Sequence, residues 1–284
     1  MNSNKIILVP ENTLEIQEAI QEFKNSKVSI TKQPILPKNW YEQVISSLNE
    51  NQQNLIKNAN LNIQEDNLIF QSFASLFLKQ TDALLIGHHY TSKEVFLYTI
   101  LFFGQNSFLS SAFVCDINNN LQVWSDCAFN IQPTAEMLAK IAINAGDFYK
   151  QITQKQPNLA FLSYATFDSA KGKPVELVLE SLKHFENLNI NKYDFQGPLQ
   201  FDSAINLNVY NKKTKSESNQ EFNTLIFPDL NSGNISYKVA NQLTNIEFFG
   251  PFVLGTNSLV CDLSRSAKKN EILKTLNLIA QFLE

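Results

Sequence analysis

Arginine is almost absent from this chain of 284 residues. Of its 23 basic residues only Arg265 is an arginine, and 27 acidic residues bring the formal net charge to −4. The lysines form no dense cluster, so the charge pattern argues against nucleic acid or an anionic membrane surface as the principal partner. Because arginine is the side chain best suited to hold a phosphate with paired hydrogen bonds, the single arginine is a candidate for a functional role.

Cysteine is scarce as well, and the spacing of the three cysteines does not indicate disulfide bonds. The three cysteines are widely separated and form no CxxC pair: Cys115, Cys127 and Cys261. An odd, scattered set predicts neither a disulfide framework nor a metal site. A chain of this length can bury a sizeable core, so it needs neither of them to fold.

The sequence also lacks a long hydrophobic run. The short apolar run that ends before Pro10 is too short for the hydrophobic region of a signal peptide. The longest apolar stretch, 96–103, is interrupted by Tyr98 and Thr99 and is too short to cross a bilayer. We therefore predict a soluble, cytoplasmic protein that is not associated with a membrane.

Short apolar segments alternate with segments of helical periodicity. Strands are predicted at 5–9, 83–86, 159–162 and 224–227, and a hairpin at 108–114 and 121–124 around the polar stretch 116–120. Helices are predicted at about 13–23, 133–150 and 267–283. This alternation predicts an α/β protein with a largely parallel sheet.

Each of the three helices has a predicted core face. The apolar residues at helical spacing are Leu14, Ile16, Ala19, Ile20 and Phe23 in the first helix, Leu138, Ile141, Ala142, Ala145 and Phe148 in the second, and Ile272, Leu276, Ile279 and Leu283 in the last. Residues 211–223 (NKKTKSESNQEFN) are almost entirely polar, which predicts an exposed loop.

Four short polar loops are predicted to follow strands, at 125–128, 197–200, 227–234 and 261–266. In open α/β sheets ligands bind at the carboxyl ends of the strands, where such loops meet. These residues alone indicate an α/β enzyme without identifying its reaction.

Five longer segments occur in a characteristic order. They are WSDCAFNIQPTAEMLAKIAINAGD (124–147), LSYATFDSAKGK (162–173), GPLQFDSAI (197–205), TLIFPDLNSGNISYKVANQL (224–243) and FGPFVLGTNSLVCDLSR (249–265). In order and spacing they resemble the phosphate acetyltransferase family, also called phosphotransacetylases or phosphate acetyl/butyryltransferases. The resemblance is good over 110–284 and poor over 1–100.

This resemblance implies transfer of an acetyl group between acetyl-CoA and inorganic phosphate, which gives acetyl phosphate and CoA. It implies two α/β domains around a cleft, with the architecture of isocitrate and isopropylmalate dehydrogenases. The boundaries would fall at 1–110 plus 254–284 for the first domain and 111–253 for the second. It also implies a homodimer that uses CoA and phosphate or acyl phosphate as substrates, with no permanently bound cofactor and no metal.

Ser264 and Arg265 match the family's Ser-Arg pair. A guanidinium can hold phosphate oxygens bidentately, and the N-terminus of a following helix adds N–H donors. The simpler explanation is a helix cap beside a solvated cation. Because Arg265 is the single arginine and lies in the family's DLSR motif, we favour the functional role for both residues.

Glu271 lies where the family has an aspartate, seven residues after the serine, which is the presumed base for the CoA thiol. A thiol with a pKa of about 8.5 is only slightly ionised at pH 7, so a base would accelerate the reaction by about 10²–10⁴-fold. A solvated glutamate in the first turn of a helix is the equally weighted alternative.

The middle of the chain supplies candidates for substrate binding. Cys127 aligns with a family cysteine beside the cleft, although an inert buried cysteine is the commoner case. The other candidates lie in or after the FPDLN segment: Asp229, Asn231, Gly233, Asn234 and Lys238. Asparagine and glycine at such positions commonly serve the architecture of a turn.

The histidines invite a metal or acid–base interpretation that the sequence does not support. His88 and His89 follow the strand predicted to end at Ile86, but in register the family's histidine falls at Tyr90. We therefore interpret both as loop histidines without a catalytic role.

The family's other cleft arginines are absent. Leu97 and Gln242 stand at two of their positions, and the N-terminal segment that carries a third is shortened. Lys93, Lys238 and Lys268 can supply point charges but not the planar fork. Two hypotheses therefore stay open: an active phosphate acetyltransferase with a rearranged phosphate site, or a catalytically degenerate paralogue that binds CoA or a protein partner.

Overall fold

The computed structural model describes residues 4–105, 107–117, 120–190, 193–219, 221–256 and 258–284. The chain divides into two compact units, which consist of residues 1–109 with 255–284 and of residues 110–254. Both units are α/β, as the sequence predicts, and each is described below by itself.

The first unit combines a small sheet with helices on the connecting segments. Its elements are β1 (Lys5–Leu8), α1 (Leu14–Glu22), β2 (Val28–Thr31), α2 (Trp40–Ser47), α3 (Glu50–Ala59), α4 (Leu68–Phe77), β3 (Ala83–Ile86), α5 (Ser92–Phe103), β10 (Leu259–Asp262) and α11 (Lys269–Leu283).

Four strands of the first unit form a parallel sheet in the order β2-β1-β3-β10. The last residue of β10, Asp262, is in register with the last residue of β3, Ile86. The carboxyl ends of β1, β3 and β10 therefore meet at one edge, where the loops after these strands come together.

The amphipathic helices explain how this sheet is covered. Thr13 caps α1 by accepting a hydrogen bond from the N–H of Ile16, and Ile16 and Ala19 are buried. The predicted core residue Leu14 is instead 66% exposed, because it is the first residue of the helix and lies off the buried face. In α11, Ile272, Leu276 and Ile279 are buried as predicted, whereas Leu283 near the chain end is only half-buried.

Helices α4 and α5 supply the aromatic part of this core. Phe73 stacks on Tyr98 and Phe102, with ring centroids 5.8 and 6.0 Å apart. The longest apolar stretch, 96–103, thus forms the last eight residues of α5, a helix of 12 residues packed against α4. No helix in the part of the chain that the structure describes is long and apolar enough to span a membrane.

The second unit is larger. Its elements are β4 (Ser110–Ile117), β5 (Asn120–Ser125), α6 (Ala135–Thr153), β6 (Asn158–Leu162), α7 (Lys173–Leu188), β7 (Asp194–Leu199), α8 (Phe201–Ile205), α9 (Leu207–Thr214), β8 (Thr224–Ile226), α10 (Leu230–Leu243) and β9 (Phe248–Leu254).

The second unit's strands follow the order β9-β4-β5-β8-β6-β7. Strands β5, β8, β6 and β7 are parallel, whereas β4 is antiparallel to both of its neighbours. The predicted hairpin is confirmed as β4–β5, although its central residues Asn118 and Asn119 lie outside the described residues. The predicted core face of α6 is confirmed in full.

The predicted loops are wrong in part, because each is shortened by a neighbouring strand or helix. Residue 125 belongs to β5, residues 230–234 to α10 and residues 261–262 to β10, and two further loops show the physical reason. Residues 211–214 belong to α9, because Asn206 caps this helix and Leu207 and Tyr210 pack it against the core. The segment Gly197–Leu199 belongs to β7, which pairs with β6 up to Leu199. In both cases apolar residues beside the polar stretch recruit it into a regular element.

Candidate active site

The loop after β10 presents Ser264, Arg265 and Ser266 to solvent at the carboxyl edge of the first unit's sheet. Leu263 anchors the start of the loop through an N–H bond of 2.6 Å to the carbonyl of Ile86. The hydroxyls of Ser264 and Ser266 lie 2.9 Å apart, and the N–H of Ala267 bonds the carbonyl of Ser264. The two serines therefore form a compact turn that leads into α11.

Arg265 is exposed, and its guanidinium forms no ion pair with a carboxylate of the described residues. The ion pairs formed among the described residues join other groups, and Arg265 takes part in none of them. It follows the strand directly and precedes α11, whose first N–H groups lack partners within the helix. This arrangement suits an oxyanion, since the guanidinium and the positive end of the helix lie close together.

Glu271 is the third residue of α11 and is half-buried in its first turn. Its negative charge acts on Cys261 in the neighbouring strand. The pKa of this thiol is raised mainly by burial, then by the charge of Asp262 and then by the charge of Glu271. The structure thus places Ser264 and Arg265 in the loop before α11 and Glu271 in the first turn of this helix, and their catalytic roles stay predictions.

The sequence reasoning missed Glu11, which organises the neighbouring loop. This carboxylate is only 3% exposed and accepts the N–H groups of Gly87, His88 and His89 at 2.8, 2.9 and 2.5 Å. Three successive N–H groups would form a binding site for an anion, but here they are occupied by Glu11. No local pattern in the sequence marks this role, because the three N–H groups belong to a loop that is distant along the chain.

His88 links this loop to the loop that carries Arg265. Its Nε2 lies 3.3 Å from the carbonyl oxygen of Ala267. The absence of a catalytic role for His88 stays a prediction. In the structure, His88 makes a contact between the two loops. Among the described residues, no group of three or more histidine, cysteine or acidic side chains could hold a metal ion.

Asp126 organises the corresponding loop of the second unit, and the sequence reasoning missed it too. It is 2% exposed, and its carboxylate accepts bonds from the hydroxyl of Ser111 and from the N–H groups of Ala128, Phe129 and Asn130. The side-chain amide of Asn130 adds a further bond of 2.6 Å. Burial raises the pKa of Asp126, and these hydrogen bonds oppose that shift.

Three of the predicted substrate-binding residues build the contact between this loop and α10. Asp229 caps α10 by accepting the N–H of Ser232 at 2.8 Å. Gly233 is buried, and a Cβ there would lie 2.6 Å from the carbonyl oxygen of Asp126. Asn234 donates from its side-chain amide to the carbonyl of Cys127 at 3.1 Å. These contacts are architectural.

The remaining candidates in the second unit differ in accessibility. Asn231 and Lys238 are exposed on α10, and the ammonium of Lys238 lies 5.9 Å from the ring centre of Tyr237. Cys127 is completely buried, and burial raises the pKa of its thiol well above the ordinary value. The thiol therefore does not face solvent, and a substrate-binding role for Cys127 stays a prediction.

The structure also shows the two positions, 97 and 242, at which the family has arginines and this chain does not. Leu97 is half-buried in α5, and Gln242 is exposed in the last turn of α10. Lys93 and Lys268 are exposed, the first in the opening turn of α5 and the second at the start of α11. Of the cations considered, Lys268 therefore lies nearest to Arg265 along the chain.

A family model described as phosphate acetyl/butaryl transferase matches residues 2–280. The chain is 36% identical over 203 residues to the phosphate acetyltransferase of Mycoplasma capricolum, a match that covers 70% of this chain and 63% of that relative. The chain belongs to the phosphate acetyl/butaryl transferase family.

Solved structures give the same fold. The EutD phosphotransacetylase of Staphylococcus aureus superposes with a TM-score of 0.76 at 22% identity, over 99% of this chain and 94% of the other. A phosphotransacetylase of Streptococcus pyogenes gives 0.73 at 26% identity, over 98% and 93%. A structure described as a 4-hydroxythreonine-4-phosphate dehydrogenase of Salmonella typhimurium gives 0.53 at 10% identity, over 99% of both chains, so a dehydrogenase shares a similar fold, as predicted.

The sequence match spans less than two thirds of the curated relatives, at 63% of the Mycoplasma capricolum enzyme and 62% of a second relative from Mycoplasma genitalium. The predicted family and fold class are confirmed.

Proposed function

We propose that the protein transfers an acetyl group between CoA and inorganic phosphate, with acetyl phosphate and acetyl-CoA as the two acyl donors. The observation that carries this proposal is the exposed Ser264–Arg265 pair before α11, in which the single arginine of the chain has no carboxylate partner among the described residues. Family membership supports the reaction class.

In this proposal the loop after β10 binds the phosphoryl group. The Arg265 guanidinium donates two parallel hydrogen bonds to phosphate oxygens, and the Ser264 hydroxyl donates a third. The N-terminus of α11 adds a favourable potential for the anion. Since the N–H groups of Gly87, His88 and His89 are taken by Glu11, the anion depends on the Arg265 loop.

Glu271 is the proposed base. It takes the proton of the CoA thiol, and the thiolate sulfur attacks the acetyl carbonyl carbon of acetyl phosphate. A carbon–sulfur bond forms, the bond between that carbon and the phosphate oxygen breaks, and inorganic phosphate leaves with the electron pair. Glu271 lies in the first turn of α11, where the positive end of a helix dipole favours a negative charge.

The second unit supplies the proposed substrate-binding residues. Asn231 and Lys238 are exposed and can bind the substrate directly. Asp229, Gly233 and Asn234 act indirectly by fixing the start of α10 against Asp126 and Cys127. No permanently bound cofactor is part of this proposal, since CoA is consumed as a substrate.

The test is formation of acetyl-CoA from acetyl phosphate and CoA. Replacing Arg265 by alanine removes two charge-assisted hydrogen bonds of about 1.5–3 kcal/mol each, so we expect kcat/KM to fall by about 10²–10⁴-fold. Lys24→Ala is the matched control, because Lys24 is exposed after α1, near the start of β2 at the opposite edge of the sheet. Equal rates for the wild type and Arg265→Ala would refute the proposal.

A second candidate rests on Leu97 and Gln242, which stand where the family has arginines. A catalytically degenerate paralogue would bind CoA without turning it over. Calorimetric titration of CoA separates the two: binding without detectable acetyl transfer favours the paralogue, and turnover of about 1 s⁻¹ or more excludes it.

The partner that we propose is a second copy of the chain, in the cytoplasm. Helix α10 exposes three apolar side chains at a spacing of four residues, Ile235, Val239 and Leu243, which form a continuous stripe that can pair with its own copy. Light scattering should give a dimer for the wild type and a monomer for Val239→Glu, whereas Asn241→Ala on the same helix should leave the dimer intact. A monomeric wild type would refute this proposal.

A further inference from the structure

Three loops meet at the carboxyl edge of the first unit's sheet, and the middle one contacts both of its neighbours. The strands before these loops lie in the order β1-β3-β10. Glu11 follows β1, residues 87–89 follow β3, and residues 263–267 follow β10 and include Arg265. A chain of contacts from Glu11 to the Arg265 loop therefore passes through the loop after β3.

Glu11 holds the middle loop through its buried carboxylate. This side chain is 3% exposed, and the ion pairs among the described residues do not include it. Its oxygens accept the N–H groups of three successive residues, 87–89, at 2.8, 2.9 and 2.5 Å. Moving the loop away would leave a buried charge without partners, which costs more than the loss of an ordinary hydrogen bond. The loop after β3 is therefore fixed against Glu11.

The middle loop first meets the Arg265 loop at Leu263, before Arg265 in the chain. The N–H of Leu263 donates to the carbonyl of Ile86 at 2.6 Å. Gly87 has a φ of +119°, and a Cβ there would lie only 2.8 Å from the backbone N and O atoms of Leu263. Backbone packs directly on backbone at this point, which requires glycine. The start of the Arg265 loop is thus fixed by the loop after β3.

The second contact lies after Arg265 in the chain. The Nε2 of His88 is 3.3 Å from the carbonyl oxygen of Ala267. A carbonyl oxygen can only accept, so the imidazole donates its Nε2–H in this contact. The two contacts enclose residues 264–266, which are exposed and have Arg265 at their centre. They limit how far the backbone of Arg265 can move.

We propose that Glu11 and His88 are positioning residues for phosphate: Glu11 fixes the loop after β3, and His88 holds the far end of the turn that carries Arg265. This inference rests on the proposed phosphate site. An exposed turn that is free to move must be ordered when an anion binds, and this ordering lowers the affinity. The two contacts order the turn before the anion arrives. Both residues act through Arg265 and need no contact with the substrate.

Binding of inorganic phosphate to the full chain, measured by calorimetry at one fixed pH, tests the role of His88. His88→Ala removes the bond to Ala267 and should weaken phosphate binding about three- to tenfold, the effect of one lost hydrogen bond. His88→Gln has an amide N–H that can donate in place of the imidazole, so its affinity should lie within about twofold of the wild type. A general loosening of the fold would not be reversed by this replacement.

His89→Ala is the matched control for the histidine variants. The His89 side chain is exposed, and the alanine keeps the backbone N–H that donates to Glu11. We expect this variant to bind phosphate as the wild type does.

Glu11→Gln tests the other end of the contact chain. It replaces a carboxylate oxygen by an amide N–H₂ that faces N–H donors, so it should weaken phosphate binding at least as much as His88→Ala does. Thermal unfolding shows whether each variant is folded. The side chain of His88 is only half-buried, so the His88 variants keep the test decisive if Glu11→Gln folds poorly.

The outcomes separate this inference from the proposed function. If Arg265→Ala binds phosphate as tightly as the wild type, or if neither binds it, the phosphate site itself is wrong and the inference fails with it. If Arg265→Ala loses phosphate binding but His88→Ala binds as tightly as the wild type, or His88→Gln is as weak as His88→Ala, the site stands and the positioning role is refuted.

Discussion

Gly233 offers a sharp test of how the second unit builds its loop cluster. An alanine Cβ at this position would lie 2.6 Å from the carbonyl oxygen of Asp126 and 3.0 Å from the sulfur of Cys127. The first neighbour is a backbone atom, and the loop that contains it is held by the hydrogen bonds of the Asp126 carboxylate. This carbonyl oxygen cannot move aside by a side-chain rotation, and neither can the Cα of Cys127, which would lie 3.2 Å from the new Cβ.

The size of the effect follows from two opposing contributions. Overpacking against a fixed backbone costs about 3 kcal/mol, at the upper end of the usual range, whereas replacing glycine by alanine in a helix gains about 1 kcal/mol. We therefore expect Gly233→Ala to lower the free energy of unfolding by about 2 kcal/mol. For a unit of this size the corresponding decrease in Tm is about 4–8 °C.

Thermal unfolding followed by circular dichroism measures this change. Asn241→Ala is the control, since Asn241 is exposed on the same helix and its replacement changes helix propensity without a steric conflict. We expect this control to unfold at or slightly above the wild-type temperature. An unchanged or higher Tm for Gly233→Ala would show that α10 does not pack on the Asp126 loop as described.

Three further predictions concern stability and reactivity. Burial raises the pKa of Asp262 from its ordinary value of 3.8 to about 7 in the folded protein. The folded state therefore binds more protons than the unfolded state, and the free energy of unfolding should fall by about 2–3 kcal/mol as the pH rises from 5 to 8. Urea unfolding at several pH values should show that Asp262→Asn lacks this loss. The same pH dependence of the free energy of unfolding in both proteins would contradict the prediction. All three cysteines are buried, so an aromatic disulfide reagent should label them only after unfolding, and rapid labelling of the native protein would contradict their burial. Asn67 caps α4 through a bond of 2.9 Å to the N–H of Phe70, so Asn67→Ala should cost about 1 kcal/mol in urea unfolding, and a change below 0.3 kcal/mol, roughly the size of a neutral surface substitution, would refute the cap.

The spacing of apolar residues correctly predicted the helices and strands in which a single apolar pattern dominates the segment. The spacing of Leu138, Ile141 and Ala145 places them on one face of α6, and the structure buries all three. The four apolar residues of β3 are likewise all buried. In these segments local pattern and tertiary burial select the same conformation, so the sequence is sufficient.

Local pattern failed where the deciding contact is distant. The polar run 211–223 indicates a loop, yet Tyr210 packs against Phe222 and draws the first part of the run into α9. Leu14 has the spacing of a core residue but begins its helix, where the buried face has not yet formed. Neither outcome can be read from a window of neighbouring residues.

The candidate site shows the same division. The motif around Arg265 identifies the loop, its exposed guanidinium and the carboxylate in the following helix. Glu11 and Asp126 have no comparable local signal, because their partners are backbone N–H groups whose position depends on the folded loops. Burial of a carboxylate is favourable only when such donors surround it.

The amino-acid sequence by itself thus determined the family, the α/β class, most of the regular elements and the residues at the start of α11. Only the tertiary structure decided which polar residues are exposed and which are buried, and it packed the Asp262 carboxylate against Gly87. The physical reason is that helical and strand periodicity are local properties of the chain. The charge state of a buried carboxylate depends instead on groups that are distant in sequence and are brought together only by folding.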